Sequence, residues 1–469
     1  MALSRSALAE RTGAEVAAAP VRIVHIGLGA FHRSHQAWYT ARADPLGEWG
    51  IAAFTGRSPK SAQVLTAQDG LYSFVERSTT GDTIVVVCSL SEVWDGARVD
   101  KLEELVSRPS TAIVSLTVTE TGYGLLPDGT LDLDSPTVAQ DVKILANRLA
   151  GHAGRANPAS PLARLVCALL ARRDAGSGPL AIVPCDNMPN NGLMVSRGVA
   201  ALARILDPTL VPWIESNISF VSTSVDRITP RTTDHDLQTV RELTGWEDGA
   251  VVVAEPFSDW VMAGEFPAGR PNWEAAGARF VEEIEPFEQR KLWLLNGAHT
   301  LLAFAGTARG HTTIADAIRD PQCRGWVDQF WDEAATHLPP FLQVDEYRSA
   351  LVARFENYRI RHELEQIAIE GTSKLRYRVV PVALAERQAG RSAEACAIPI
   401  ASWIALLLSG GRPADREEAA IAVLLAGDRA QVVGGLVSLV DAQLGLDHVF
   451  VDTVERTVAM LAAEMTGTV

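Results

Sequence analysis

A β-rich run, Val21-Arg22-Ile23-Val24-His25-Ile26, stops at Gly27-Leu28-Gly29 and passes into a helical segment, Phe31 to Ala43. No other stretch restricts the fold so tightly. A strand that turns on glycines into a helix opens a parallel α/β unit, and the helix start presents backbone N–H groups to an anion. Gly27 makes the tight turn, and Gly29 lets the backbone approach a pyrophosphate. His32 stands where the G-x-G-x-x-G fingerprint has its third glycine. That pattern points to a dinucleotide-binding unit.

The rest of the N-terminal half continues the alternation. Gly50 to Phe54 reads as a second strand, leaving through Thr55-Gly56-Arg57-Ser58. An acidic residue at this exit suits the adenosine ribose of NAD, and an arginine suits the 2′-phosphate of NADP. No acid is present and Arg57 is, which leaves both cofactors open. Further strands are expected over 83–89, 112–119, 180–184 and 218–222, with helices over 61–67, 99–106, 136–150 and 161–173. Two strand ends carry polar clusters, Thr119-Glu120-Thr121 and Cys185-Asp186-Asn187. Strand ends of this kind line the ligand crevice of a parallel sheet. Residues 257–270 read as a loop. From Trp273 onward helical periodicity dominates, beginning with segments over 273–286 and 287–305. The expected class is α/β: an N-terminal arm over 1–20, a Rossmann-type dinucleotide-binding domain over 21–280, and a mainly α-helical domain over 281–469 that carries substrate and catalysis.

Composition narrows the function classes. A net charge of −15 disfavours nucleic acid or an anionic membrane as the main partner. Five cysteines lie scattered without a CxxC pair, which suits a reducing compartment and gives no metal centre. No apolar run reaches membrane-spanning length, and residues 1–20 lack the apolar core of a signal peptide. A cytoplasmic protein is expected, a monomer or small homo-oligomer acting on a small molecule.

One segment of the second domain breaks the pattern of its surroundings. Glu288-Gln-Arg-Lys-Leu-Trp-Leu-Leu-Asn-Gly-Ala-His-Thr300 sets a lysine, an amide and an imidazole among leucines. Polar groups buried in such company need partners or chemistry. On an α-helix, with Lys291 at 0°, Glu288 falls at about 60°, His299 at about 80° and Asn296 at about 140°. All four share one side, which is expected to face the first domain. Only five of the 42 basic residues are lysines. Arginine stays charged, whereas a desolvated lysine exchanges its proton near neutral pH, so Lys291 is a candidate general acid/base.

Taken together, Ile26-Gly-Leu-Gly-Ala-Phe-His-Arg-Ser-His-Gln36, Gln68-Asp-Gly-Leu-Tyr72, Ser115-Leu-Thr-Val-Thr-Glu120, Cys185-Asp-Asn187, Val225-Asp-Arg-Ile-Thr-Pro230 and Lys291-x4-Asn296-x2-His299 resemble the mannitol dehydrogenase family of polyol-specific long-chain dehydrogenases. The resemblance spans residues 21 to about 440. It implies metal-independent hydride transfer with NAD, NADP being possible. It implies Lys291 as general acid/base, Asn296 and His299 on the reacting oxygen, and Glu288 in proton exchange. Asn187, Asp226 and Lys374 are implied in substrate binding, and Gly27, Gly29, Phe31, His32 and Arg57 in cofactor binding. The expected substrate pair is a sugar alcohol and its ketose, D-mannitol and D-fructose foremost. A hexuronate such as fructuronate or tagaturonate, and mannitol 1-phosphate, are alternatives. Gln366 stands where mannitol 2-dehydrogenases carry an arginine, which resembles the uronate branch; Lys374 or Arg376 then offers the cation for a carboxylate. A nicotinamide-binding sensor without turnover is the non-enzymatic alternative.

Overall fold

The computed structural model describes residues 1–126, 128–151, 156–428 and 430–465. The chain divides into two compact units, Met1–Glu285 and Pro286–Val469.

The first unit is built on a six-stranded sheet. In spatial order its strands are Leu90–Trp94, Gly50–Phe54, Val21–Ile26, Ile113–Leu116, Leu180–Pro184 and Ile218–Phe220. Every neighbouring pair is parallel. Strand side chains alternate between two cores, as the period of two requires. Val24, Ile26, Val114, Leu116 and Ile182 pack with helices Val99–Val106 and Pro161–Asp174 on one face. Ile23, Ile51, Ala53, Ile113 and Val183 pack with Trp38, Tyr39, Trp260 and Trp273 on the other. Burial on both faces explains why these strands read as near-continuous apolar runs.

The main departures from the sequence reading are short strands outside this sheet. Tyr72–Ser78 and Gly81–Val87 form an antiparallel hairpin, so the strand expected over 83–89 lies in a separate three-stranded sheet. Residues 257–270 are not all loop: Asp259–Ala263 pairs antiparallel with Ser222–Asp226. Residues 273–286 are not one helix but a 3-10 turn, Trp273–Ala276, and a short strand, Arg279–Phe280. Glycines and prolines around these segments mask a pairing that only long-range contacts supply. Near the N-terminus, Arg5–Thr12 is a helix capped by Ser4, and Leu3 is buried with Leu71 and Trp246.

Every named element among the described residues of the second unit is a helix, and one isolated bridge joins Thr313 to Glu363. Its centre is Ala298–Ala308, where nine consecutive residues, Ala298 to Gly306, are buried. Glu394–Leu408 packs against it and is buried nearly all round. A helix apolar on every side belongs in a core.

Candidate active site

The glycine turn stands at the end of the central strand. Gly27 N and Leu28 N both donate to Phe54 O, at 2.9 and 2.8 Å, which ties the turn to the exit of the second strand. Gly27 has φ +109°, and a Cβ there would overlap the Thr117 carbonyl. Only glycine fits it. Gly29 differs: the nearest atom to a Cβ would be Gly27 O at 3.7 Å, so its backbone is open to approach. Arg57 is exposed on the loop after the second strand. An open turn at a strand end beside a helix start, with no carboxylate in residues 55–60, fits a dinucleotide pyrophosphate.

Beneath the turn lies a pair that sequence reading did not anticipate. His25 Nδ1 bonds Ser115 Oγ at 2.9 Å, and His25 Nε2 bonds Thr117 Oγ1 at 3.0 Å. Thr117 Oγ1 in turn donates to Gly27 O at 2.8 Å. His32 stacks on His25 with ring centroids 3.3 Å apart, and both are fully buried. Burial pushes His25 down to about 3 and His32 well below the usual histidine range. Both rings are therefore neutral at working pH. Phe31 stacks on His35 at 5.0 Å.

Two expected substrate contacts sit at neighbouring strand ends of this unit. Asn187 is exposed just beyond Leu180–Pro184, and Asp226 is buried at the end of Ser222–Asp226. The preceding carboxylate, Asp186, accepts from Tyr123 OH at 2.6 Å and Met188 N at 3.1 Å. Asn191 laces the two ends together. Its Nδ2 donates to Asp186 O and Thr223 O, and its Oδ1 accepts from Thr223 N at 2.8 Å. Asn191 is fully buried and was missed because an asparagine at a helix start reads as an ordinary cap. The side chain of Glu120 lies outside the described residues.

The second unit carries the Lys-x4-Asn-x2-His segment, and its backbone is not a plain α-helix. Lys291–Gly297 is π-helical between the α-helices Glu285–Arg290 and Ala298–Ala308. In an i→i+5 register Asn296 turns toward the side of Lys291, whereas an α register leaves it about 140° away. The carbonyls of this stretch are taken up by side chains. Trp331 Nε1 donates to Leu294 O at 2.8 Å, while Thr300 Oγ1 and Arg378 Nη1 donate to Asn296 O at 2.9 and 3.4 Å. Gly297 is needed here, because a Cβ would lie 2.5 Å from Phe330 Cε1. Lys291, Asn296 and Glu288 are half-buried, and His299 is buried.

His299 sits in unusual electrostatic surroundings. Its ring packs on Phe355 at 4.8 Å and edge-to-face on His362 at 5.0 Å. Its buried Nε2 has no hydrogen-bond partner, a donor or acceptor left for a ligand oxygen. Burial holds its pKa well below the usual range, and His362, Arg354, Arg378 and Lys374 lower it further. Lys374, itself lowered to about 8 by burial and then by Arg378, donates to Ile367 O at 2.8 Å. Arg376, the other candidate cation, is committed elsewhere: it donates to Val440 O and Leu439 O. Gln366 is exposed. Arg354, His362 and Arg378 were not singled out from the sequence, since 37 arginines conceal any single one.

Comparison with known proteins places the chain in one family. A model of the mannitol dehydrogenase Rossmann domain matches residues 21–275, and one of the mannitol dehydrogenase C-terminal domain matches residues 283–421. The chain is 36% identical to a D-mannonate oxidoreductase of Escherichia coli, covering 82% of this chain and 79% of that one. It is 34% identical to a mannitol 2-dehydrogenase of Phaeosphaeria nodorum, over 82% and 68%. Among solved structures it resembles a Pseudomonas fluorescens mannitol 2-dehydrogenase in ternary complex with NAD and D-mannitol, at TM-score 0.79 and 28% identity, over 100% and 99% of the two chains.

Proposed function

We propose that this chain, which belongs to the mannitol dehydrogenase family, interconverts a secondary alcohol of a sugar alcohol or sugar acid and the matching ketone, with Lys291 as general acid/base and NAD as hydride carrier. It is an oxidoreductase of CH–OH groups. The observation that carries the reading is the π-helical turn over Lys291–Gly297, which turns Asn296 toward the side of Lys291, followed by a buried, neutral His299 with an unpartnered Nε2.

The chemistry follows from those side chains. In the oxidation, the neutral Lys291 amine takes the hydroxyl proton while the C–H bond gives up a hydride. The dinucleotide supplies the hydride acceptor. Asn296 and His299 donate hydrogen bonds to the oxygen as charge develops on it, each worth a few kcal/mol in a site without water (about 3–4 kcal/mol). His299 serves as a neutral donor because burial keeps it unprotonated. Glu288, one turn before Lys291, returns the proton to solvent. In the reduction every transfer reverses. Asn187 and Asp226 hold the hydroxyls of the chain.

The first reading of the substrate is D-mannitol and D-fructose, on the motifs. One observation favours a sugar acid: Arg354, Lys374 and Arg378 all raise the positive potential at His299, while His362, lowered to about 4, is neutral there. A carboxylate at the substrate's far end answers such a ring of bases. Initial rates of purified protein with mannitol, mannonate, fructose, fructuronate and mannitol 1-phosphate, read from absorbance of the reduced dinucleotide, separate these readings. Turnover of none of them removes the proposal.

A further inference from the structure

The loop leaving the second strand is the least used part of the dinucleotide-binding unit. Gly27 N and Leu28 N bond Phe54 O, so residues 55–60 begin beside the glycine turn. The loop is anchored at its root: Gly96 N donates to Thr55 Oγ1 at 3.0 Å. Beyond that root it is open. Gly56, Arg57, Ser58 and Lys60 are exposed, and a Cβ on Gly56 would meet no atom within 4 Å. Neither the Arg57 guanidinium nor the Lys60 ammonium makes a hydrogen bond or ion pair among the described residues, and Ser58 Oγ accepts from Lys60 N at 3.4 Å.

The charges of the loop itself are positive. Arg164 Nη1 and Gly56 O are both 2.9 Å from a Cβ built on Gly96, which brings a third cation to the root of the loop, where Asp141 and Asp95 accompany it. The carboxylate that follows the adjacent strand, Asp95, caps Ala97 N at 3.0 Å. Residues 55–60 contain no acid. A ribose with free 2′- and 3′-hydroxyls is held by a carboxylate at this strand exit. Two unpaired cations and a hydroxyl instead suit a dianion.

We propose that Arg57, Ser58 and Lys60 form a binding site for the 2′-phosphate of NADP(H), so that this chain binds NADP(H) at least as tightly as NAD(H). The site rests on the dinucleotide reading given above and refines it. Arg57 offers the paired N–H donors that match two phosphate oxygens, and Lys60 a point charge beside them.

Fluorescence titration of the full chain with NADPH and with NADH, without substrate, tests this. NADPH is expected to bind with a dissociation constant equal to or below that of NADH, and 2′,5′-ADP to displace it better than 5′-ADP does. Arg57→Ala is expected to raise the NADPH constant roughly tenfold more than the NADH constant, and added salt to weaken NADPH more than NADH. NADH binding more than about tenfold tighter than NADPH, or equal losses for both in Arg57→Ala, overturns the site while leaving the dinucleotide reading intact. Binding of neither dinucleotide overturns both.

Discussion

Trp331 donates its indole N–H to the carbonyl of Leu294 at 2.8 Å, from within a fully buried position. That bond is a second one to a carbonyl in the π-helical turn between Lys291 and Gly297, which also accepts the Ala298 N–H. Trp331→Phe keeps the aromatic bulk and removes the donor. Leu294 O keeps the Ala298 N–H, so the expected cost is that of one net hydrogen bond, about 0.5–1.5 kcal/mol of unfolding free energy. Because relaxation toward an α register swings Asn296 away from Lys291, turnover should fall about tenfold or more while dinucleotide affinity holds. Denaturant unfolding and steady-state kinetics of one preparation check both.

Lys291→Ala should lower turnover by about two to four orders of magnitude, the usual range for a positioned proton-transfer group. Lys291→Arg should not restore it, since a guanidinium does not give up its proton near neutral pH. Dinucleotide binding, measured separately by fluorescence, should persist in both variants. Near-normal turnover in Lys291→Ala ends the case for lysine catalysis.

Gly27 and Gly29 should respond differently to the same change. A methyl at Gly27 meets the Thr117 carbonyl at φ +109°, so Gly27→Ala is expected to destabilise the fold by several kcal/mol (about 2–4). Gly29 has room for a methyl within the protein, so Gly29→Ala should fold with a melting temperature near that of the parent. It should nonetheless bind dinucleotide more weakly, because the methyl occupies the approach. Normal dinucleotide affinity in a folded Gly29→Ala protein would place the pyrophosphate elsewhere.

Lys374 gives a pH signature that separates a sugar acid from a polyol. Its pKa is lowered to about 8, first by burial and then by Arg378. Above that pH it loses its charge. If it holds a carboxylate, kcat/KM for a sugar acid should fall as pH rises through about 8, more steeply than for a neutral polyol. The stability sign is opposite: above about pH 8 the unfolded chain binds more protons at this group, so folding stability rises there with pH. Lys374→Met should flatten the sugar-acid profile relative to the polyol profile.

The stacked pair His25 and His32 predicts acid sensitivity. Both have folded pKa values below the unfolded value of 6.5, His25 at about 3, chiefly through burial. Between those values the unfolded state binds more protons, so stability is lost as pH falls below 6.5, by up to about 1.4 kcal/mol per pH unit for each ring. His25→Gln should flatten the acid limb of a melting-temperature profile. An unchanged limb would show that other groups set it.

The sequence by itself determined the parallel α/β unit, because a strand closed by Gly27 and Gly29 and followed by a helix has few other uses. It also singled out the proposed reactive side chains, since Lys291, Asn296 and His299 are conspicuous among leucines. It did not reveal the hairpin Tyr72–Ser78 with Gly81–Val87, or Asp259–Ala263 as a strand, because those pairings depend on partners distant in the chain. The register of the turn over Lys291–Gly297 was likewise invisible: nothing local distinguishes an α-helix from a π-helix there. Trp331, Arg378 and Phe330, brought in by other helices, decide it by claiming carbonyls and excluding a side chain at Gly297. The same holds for the charge around His299, where Arg354, Lys374 and Arg378 act together through space. Side-chain chemistry is written residue by residue, whereas backbone register and electrostatic potential are sums over neighbours that only the folded chain assembles.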